Sequence, residues 1–405
     1  MNFKKPDRLP KDLGAMPSTG ISAFAYPKLV AALGLPPRRP RVHDTYQMLA
    51  LPDTDVLDAL GCDVVTIDWG VTNAFEEPEK WQEYDFNGRL PARVRDKSAF
   101  VVQQDGAILN NSQPQIKAKM PLSSYVFDAE HGGQPLSLTG DIPLEDLDEL
   151  KKELKSRQLR DEDVKKTSEH CKQAREATER AILFNGQLLS EIGLASHGGL
   201  GVFPVLCLTE PGYVADLHEI KIEHTIRNVR MLLPEIHRYV DIILSGADDW
   251  GTQNSLIASP DIFRRLFKPY LRRLNDECHR IAPQIKTFLH CCGAVYDLID
   301  DIIESGFDIL NPVQWSAGGH SYKEWKDKSR KRIALWGGGV NAQVTLPLGT
   351  IEEIEKEVKE VVAYMNKDSG YVFNSIHNIL AEIPPEKVIA MYKAAEGASK
   401  IQKER

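Results

Sequence analysis

A chain of 405 residues, 42% of them apolar, is long enough to bury a sizeable core and suits one large α/β domain. The formal net charge is −8 and the basic residues are interleaved with acidic ones, which argues against nucleic acid or an anionic membrane surface as a partner. Six cysteines without disulfide-framework spacing, no apolar core in "MNFKKPDRLPKDLGAMP" and no run near membrane-spanning length give the expectation of a cytoplasmic protein with reduced thiols.

Taken in chain order, "DVVTIDWG" (63–70) reads as an early strand. "SAFVVQQDGAILNN" (98–111) reads as a β-hairpin turning at Asp105-Gly106, within an insertion of about 75–125. A second insertion, about 141–182, contains the charged helical run from Leu144 to Ile182, which reads as a solvated helix face without chemistry. "GVFPVLCL" (201–208) reads as a further strand.

From there apolar β-type runs alternate with amphipathic helices. "YVDIILS" (239–245) is followed by a helix capped at Ser259-Pro260, with Phe263, Phe267, Leu271, Leu274, Cys278 and Ile281 at helical spacing. "IKTFLH" leads into a helix that stops at Gly306. "FDILNPV", "RIALWGG", a helix capped by Thr350, "GYVFNS" and a helix from Pro384-Pro385 complete the chain. Five βα units with short connections predict a TIM barrel or a doubly wound sheet, and the length accommodates a barrel of about 250 residues with insertions.

In parallel α/β folds the site gathers where strands end. The residues just past the apolar runs are Asp248 and Asp249, then His290 and Cys292, then Asn311 and Gln314, then Gly337–Gly339 with Asn341, and finally Asn374 and His377. Side chains two apart on a strand point the same way, so His290 and Cys292 aim at one point while Cys291 faces away. Imidazole and thiolate are both good zinc ligands, so His-x-Cys is half of a zinc site. His377 is the best-placed third ligand, with Asp248 or Gln314 as alternatives. A buried cysteine acting as a small hydrophobe, and a catalytic thiol, are the competing readings of the same pair. The run "WGGGV" reads as a tight βα turn, "HGGLG" (197–201) lacks a dinucleotide-binding context, and His224 and His237 read as packing or surface residues.

"LHCCGAVYDLIDDIIESGFDILNPVQ", "ALWGGGVN" and "GYVFNSIHNILAEIPPEKVIAMYKAA", with "PDRLPKDLGAMPSTGISAFAYPKL" and "GADDWGTQNSLIASPDIFRRLFKPYL", together resemble the uroporphyrinogen decarboxylase superfamily. The resemblance covers most of the chain except the charged insertion. It implies a single-domain (β/α)8 TIM barrel over residues 1–405, assembled as a homodimer. The decarboxylase branch carries an arginine-rich R-x-x-G-R-Y motif for substrate carboxylates; here "LPKDLGAMPSTGIS" has neither arginine.

The zinc-dependent, corrinoid-linked methyltransferase branch carries His-x-Cys-Gly and a later cysteine as ligands. His290-Cys291-Cys292-Gly293 matches the first part, and His377 stands near the place of the later cysteine. This resemblance implies zinc held by His290, Cys292 and His377, a methyl group exchanged between a corrinoid on a partner protein (or a methylated substrate) and a thiol or tetrahydrofolate, and Asp248 and His377 in catalysis. Asp249, Asn311, Gln314, Asn341 and Asn374 would shape the substrate pocket. The alternative is a metal-independent decarboxylase of a carboxylated aromatic or tetrapyrrole, with Asp248 or Asp249 stabilising a cationic intermediate and His377 touching substrate.

Overall fold

The computed structural model describes residues 1–4, 6–112, 117–128, 144–194 and 199–401. The chain forms two compact units, one of residues 1–7, 137–338 and 364–372 and one of residues 8–136, 339–363 and 373–405.

The first unit is built on six parallel strands: β1 (Ala181–Asn185), β2 (Ile242–Ala247), β3 (Lys286–His290), β4 (Ile309–Asn311), β5 (Ala334–Trp336) and β6 (Tyr371–Val372). Each pairs with the next in sequence. Their near-continuous burial is what a sheet covered on both faces requires. Helices α1 (Leu147–Ser156), α2 (Asp161–Ala177), α3 (Pro211–Ile236), α4 (Lys268–Ile281), α5 (Ile299–Glu304) and α6 (Tyr322–Ser329) accompany them. Ser259 caps as expected, its side chain accepting from Ile262 N, and Gly306 ends α5 with φ +84°.

Two sequence expectations are corrected here. "GVFPVLCL" is not a strand: Phe203–Thr209 is a helix with Pro204 in its first turn. The early strand of this unit is instead Ala181–Asn185, at the end of the charged run, whose helices stop at Ala177. The charged run is two helices, not one continuous face, and both pack on α3 through buried Leu150, Leu154, Val164, Cys171 and Ala174.

In the second unit, Val64–Asp68 is a fully buried strand that turns back into Val71–Thr72. A five-stranded sheet runs Ile21–Ser22, Leu49–Ala50, Arg41–Asp44, Pro91–Val94, Gln82–Asp85. The predicted hairpin is present as Phe100–Val102 against Ile108–Asn110, with Gly106 at φ +80°, and Ala118–Met120 adds a third strand. Thr350 Oγ1 accepts from Glu353 N (3.3 Å) at the start of the helix Ile351–Met365. The closing helix is Pro385–Ile401.

The fold class is α/β, a (β/α)8 TIM barrel carrying an inserted hairpin and a charged helical insertion. Among the described residues no helix is long and apolar enough to cross a membrane.

Candidate metal centre

The end of β3 sets the geometry of the first unit's site. Its ladder continues past the strand, with Asp248 N donating to His290 O (2.9 Å) and Cys291 N donating to Asn311 O (2.7 Å). Extended backbone alternates its side chains, so Cys291 is turned into the core at 1% exposure while His290 and Cys292 share the other side. Cys292 Sγ lies 3.2 Å from His290 Nε2.

Asn311, paired with His290 in the β3–β4 register, fixes the imidazole. Its Nδ2 donates to Trp336 O (3.1 Å), so the Oδ1 must be the atom that meets His290 Nδ1 at 3.0 Å. His290 Nδ1 is therefore the donor of this pair, and Nε2 is the nitrogen that faces Cys292. Sequence reasoning placed Asn311 against substrate. It is instead 0% exposed and occupied in orienting the histidine.

Asp249 completes the group. Its Oδ1 accepts from Cys292 N (2.9 Å) and lies 3.5 Å from His290 Nε2, with the side chain 47% exposed. Burial, and then the charge of Asp249, push the Cys292 thiol well above its usual range. Cys291 is pushed up mainly by burial.

The loop that presents Cys292 is locked by backbone contacts. Gly293 has φ +87°, and a Cβ there would stand 2.1 Å from Gly251 O; a Cβ on Gly251 would stand 2.2 Å from Ala294 N. Only glycine fits at either position. Gly251 N donates to Cys292 O (3.1 Å) and Gly293 N donates to Gln314 Oε1 (2.8 Å). Gln314 thus shapes the site through the loop.

Asp248, expected in catalysis, accepts from Leu194 N (2.6 Å) and from Trp250 Nε1 (2.5 Å). Trp250 in turn packs edge-on against Phe263 and Phe267. These bonds make Asp248 an anchor for the loop that carries Asp249. The glycine run is the expected turn: Gly337 and Gly338 have φ +92° and +79°, and Trp315 Nε1 donates to Gly338 O (2.7 Å). The glycine run at 197–201 lies partly outside the described residues, and His224 is buried on α3 beside Asn228.

In the second unit, His377 Nδ1 lies 2.9 Å from Asn378 Oδ1, and Asn378 Nδ2 donates to Gln47 Oε1 (2.9 Å). The same logic applies: the amide orientation set by Gln47 makes Asn378 Oδ1 the acceptor, so His377 Nδ1 donates and Nε2 is the ring nitrogen left for other partners. Asn374 does not serve a pocket. It is fully buried, and its Nδ2 reaches Asp12 O (2.8 Å) and Thr19 O (3.3 Å), tying the early chain down. Asn341 is corrected as well: its Oδ1 accepts from Gln343 N (2.9 Å) and Val344 N (3.1 Å), a local turn cap.

Sequence reasoning missed Asn378, although a side-chain amide directly after a candidate histidine is a usable signal. It also missed Asp68, which ends its strand against His43 Nδ1 at 2.6 Å with both side chains buried.

The first unit's donors fit a zinc ion. Tetrahedral bonds of zinc to imidazole nitrogen and thiolate place those two atoms about 3.6 Å apart. The observed 3.2 Å is within a few tenths of that, with the correct nitrogen facing the sulfur.

A family model described as Uroporphyrinogen decarboxylase (URO-D) matches residues 142–398. The chain belongs to the uroporphyrinogen decarboxylase family. Relatives named uroporphyrinogen decarboxylase include those of Geotalea daltonii (26% identity over 152 residues, 38% of this chain and 40% of the relative) and Syntrophotalea carbinolica (29% over 139 residues, 34% and 36%). That of Methylobacillus flagellatus is 29% identical over 153 residues, 38% of this chain and 40% of the relative. The matches therefore span 36–40% of these relatives' length. A solved methyltransferase from Methanosarcina mazei is similar at 18% identity and a TM-score of 0.45, covering 93% of this chain and 99% of that one.

Proposed function

We propose that this member of the uroporphyrinogen decarboxylase family is a zinc-dependent methyltransferase of corrinoid-linked one-carbon metabolism, with His290, Cys292 and His377 as the protein ligands. It moves a methyl group between a methylated corrinoid, or a methylated substrate, and a thiol or tetrahydrofolate. The observation that carries the reading is the asparagine-locked His290, whose Nε2 faces Cys292 Sγ at 3.2 Å. His377, held in the same tautomer by Asn378, has the chemistry of a third ligand.

Bound zinc would supply a centre that keeps an acceptor thiol deprotonated near neutral pH while leaving it nucleophilic. The chain's own residues do the positioning. Asn311 and Asn378 orient both rings through Nδ1 and leave each Nε2 available as the ligand atom, and Gly293 with Gln314 holds the cysteine loop. Asp249 Oδ1, half-exposed beside Cys292, accepts a hydrogen bond from the incoming acceptor. The corrinoid is carried by a separate protein, and the enzyme works as a homodimer in the cytoplasm.

A carboxylate-rich substrate is less well served. Lys11, the one cation in "LPKDLGAMPSTGIS", is buried and lies 3.8 Å from Glu396. The relatives' name favours a second reading: metal-independent decarboxylation of a carboxylated aromatic or tetrapyrrole. The test is zinc quantification on purified protein beside spectral assay of methylcobalamin demethylation over thiols and tetrahydrofolate. Stoichiometric zinc in the wild type, lost on the order of a thousandfold in affinity in His290→Ala and Cys292→Ala, is expected. Equal zinc in all three proteins would overturn the site. Carbon dioxide release insensitive to chelators would establish the second reading.

A further inference from the structure

In the second unit the side chain that orients Asn378, and through it His377, is Gln47, itself an amide able to present either end. What fixes it is Asp44, the last residue of the strand Arg41–Asp44. Asp44 Oδ1 accepts from Tyr46 N and from Gln47 N, both at 2.9 Å, so the chain turns back over the carboxylate directly after the strand. That turn brings the Gln47 side chain onto the other oxygen, where its Nε2 donates to Asp44 Oδ2 (3.1 Å).

A carboxylate accepts and has no proton to give. Gln47 must therefore offer it Nε2, which leaves Oε1 for Asn378 Nδ2 (2.9 Å) and Asn378 Oδ1 for His377 Nδ1 (2.9 Å). Every link donates toward Asp44, and no link can reverse alone without setting two donors or two acceptors face to face. The turn has holds of its own: Asn110 Nδ2 donates to Thr45 O (3.2 Å), and Phe127 N donates to Tyr46 O (2.8 Å).

We infer that Asp44 is a positioning residue that selects which ring nitrogen His377 offers, acting through Gln47 and Asn378. The selection stands on these bonds alone; its consequence for a metal rests on the zinc reading above. With Nδ1 committed as donor, Nε2 is the ligand atom, and an outer partner of this kind tunes how well a histidine binds.

The test reads the ring nitrogens of His377 by nitrogen NMR on metal-free, histidine-labelled full chain, with His377→Gln identifying the signal. In the wild type the neutral ring should carry its proton on Nδ1. Asp44→Asn keeps an acceptor for the two backbone amides but points a side-chain N–H at Gln47. Both amides should then turn over and the His377 proton move to Nε2, with the melting temperature within about 3 °C of wild type. Zinc affinity, read by competition titration, should fall about tenfold. Adding Gln47→Glu to that variant sets a carboxylate between two side-chain N–H donors, so the proton should return to Nδ1 and zinc affinity to within about threefold of wild type. Gln47→Leu leaves the turn at Asp44 in place and should give a mixture of both ring forms; it decides alone if Asp44→Asn does not fold. A proton still on Nδ1 in folded Asp44→Asn, a single unchanged form in Gln47→Leu, or a shift that Gln47→Glu does not reverse would overturn the inference and leave the zinc reading standing. A proton that moves and returns as described, in a protein that takes up no zinc, would support Asp44 as the positioning residue and sink the zinc reading.

Discussion

At His290 the orienting asparagine is a strand neighbour, fully buried, with its other end fixed on the Trp336 carbonyl. At His377 it is the adjacent residue in sequence, 9% exposed, with its other end on the Gln47 side chain. Both arrangements select the same tautomer. They differ in rigidity: a backbone carbonyl in a sheet cannot turn away, whereas a glutamine amide can rotate and be replaced by water. The first imidazole is therefore held rigidly, and the second can adjust.

The largest effect expected from this contrast belongs to Asn311→Leu. It leaves the Trp336 carbonyl and the His290 Nδ1–H without their buried partner, so stability should fall by about 2–3 kcal/mol. Zinc affinity should fall about 10–100-fold through the misoriented ring. Denaturant unfolding with a metal-competition titration reads both, and wild-type affinity in the variant would remove Asn311 from the argument.

A third imidazole gives the control. His218 on α3 also uses Nδ1, on Leu266 O at 2.6 Å, but its ring is caged by Phe203, Phe267 and Tyr270 and its Nε2 is buried without a hydrogen bond. Burial pushes its pKa down to about 4. Below the unfolded value of about 6.5 the unfolded chain takes up the proton first, so stability falls as pH drops from about 6.5 to 4, by about 3 kcal/mol in full. His218→Phe should flatten that slope. Parallel wild-type and variant stability curves between pH 7 and 4 would show that another group is responsible.

The smallest effect is expected for Asn378→Ala. The change in stability should stay under about 1 kcal/mol, because the site is not fully sealed from water. Zinc affinity should drop about tenfold, near the lower edge of what an outer-shell partner contributes. A loss as large as that of Asn311→Leu would erase the proposed distinction between fixed and adjustable ligands.

Much of this arrangement was legible from residue order alone. The alternation in "FLHCCG" separates Cys291 from His290 and Cys292 because extended backbone leaves no other choice. Ser259 and Thr350 announce their helices because their side chains satisfy otherwise unpaired amides. The failures have equally specific causes. "GVFPVLCL" is apolar without a period, so its length could not separate strand from helix, and Pro204 in the first turn was the overlooked cue. The strand at Ala181–Asn185 was absorbed into the charged run preceding it. The role of Asn311 depends on the register of β3 against β4, which no local pattern encodes. Asn341 and Asn374 were read as pocket residues because polar groups after strands also serve as turn caps and buried ties.

The back-to-back glycines at 251 and 293 carry a consequence for how this centre could change. Two chain segments meet there main chain to main chain, so the course of the segment bearing residue 292 is set by steric exclusion and not by whatever the sulfur grips. A different side chain grafted at 292 would inherit the same presentation, so the group this loop offers can be exchanged without altering the loop's course.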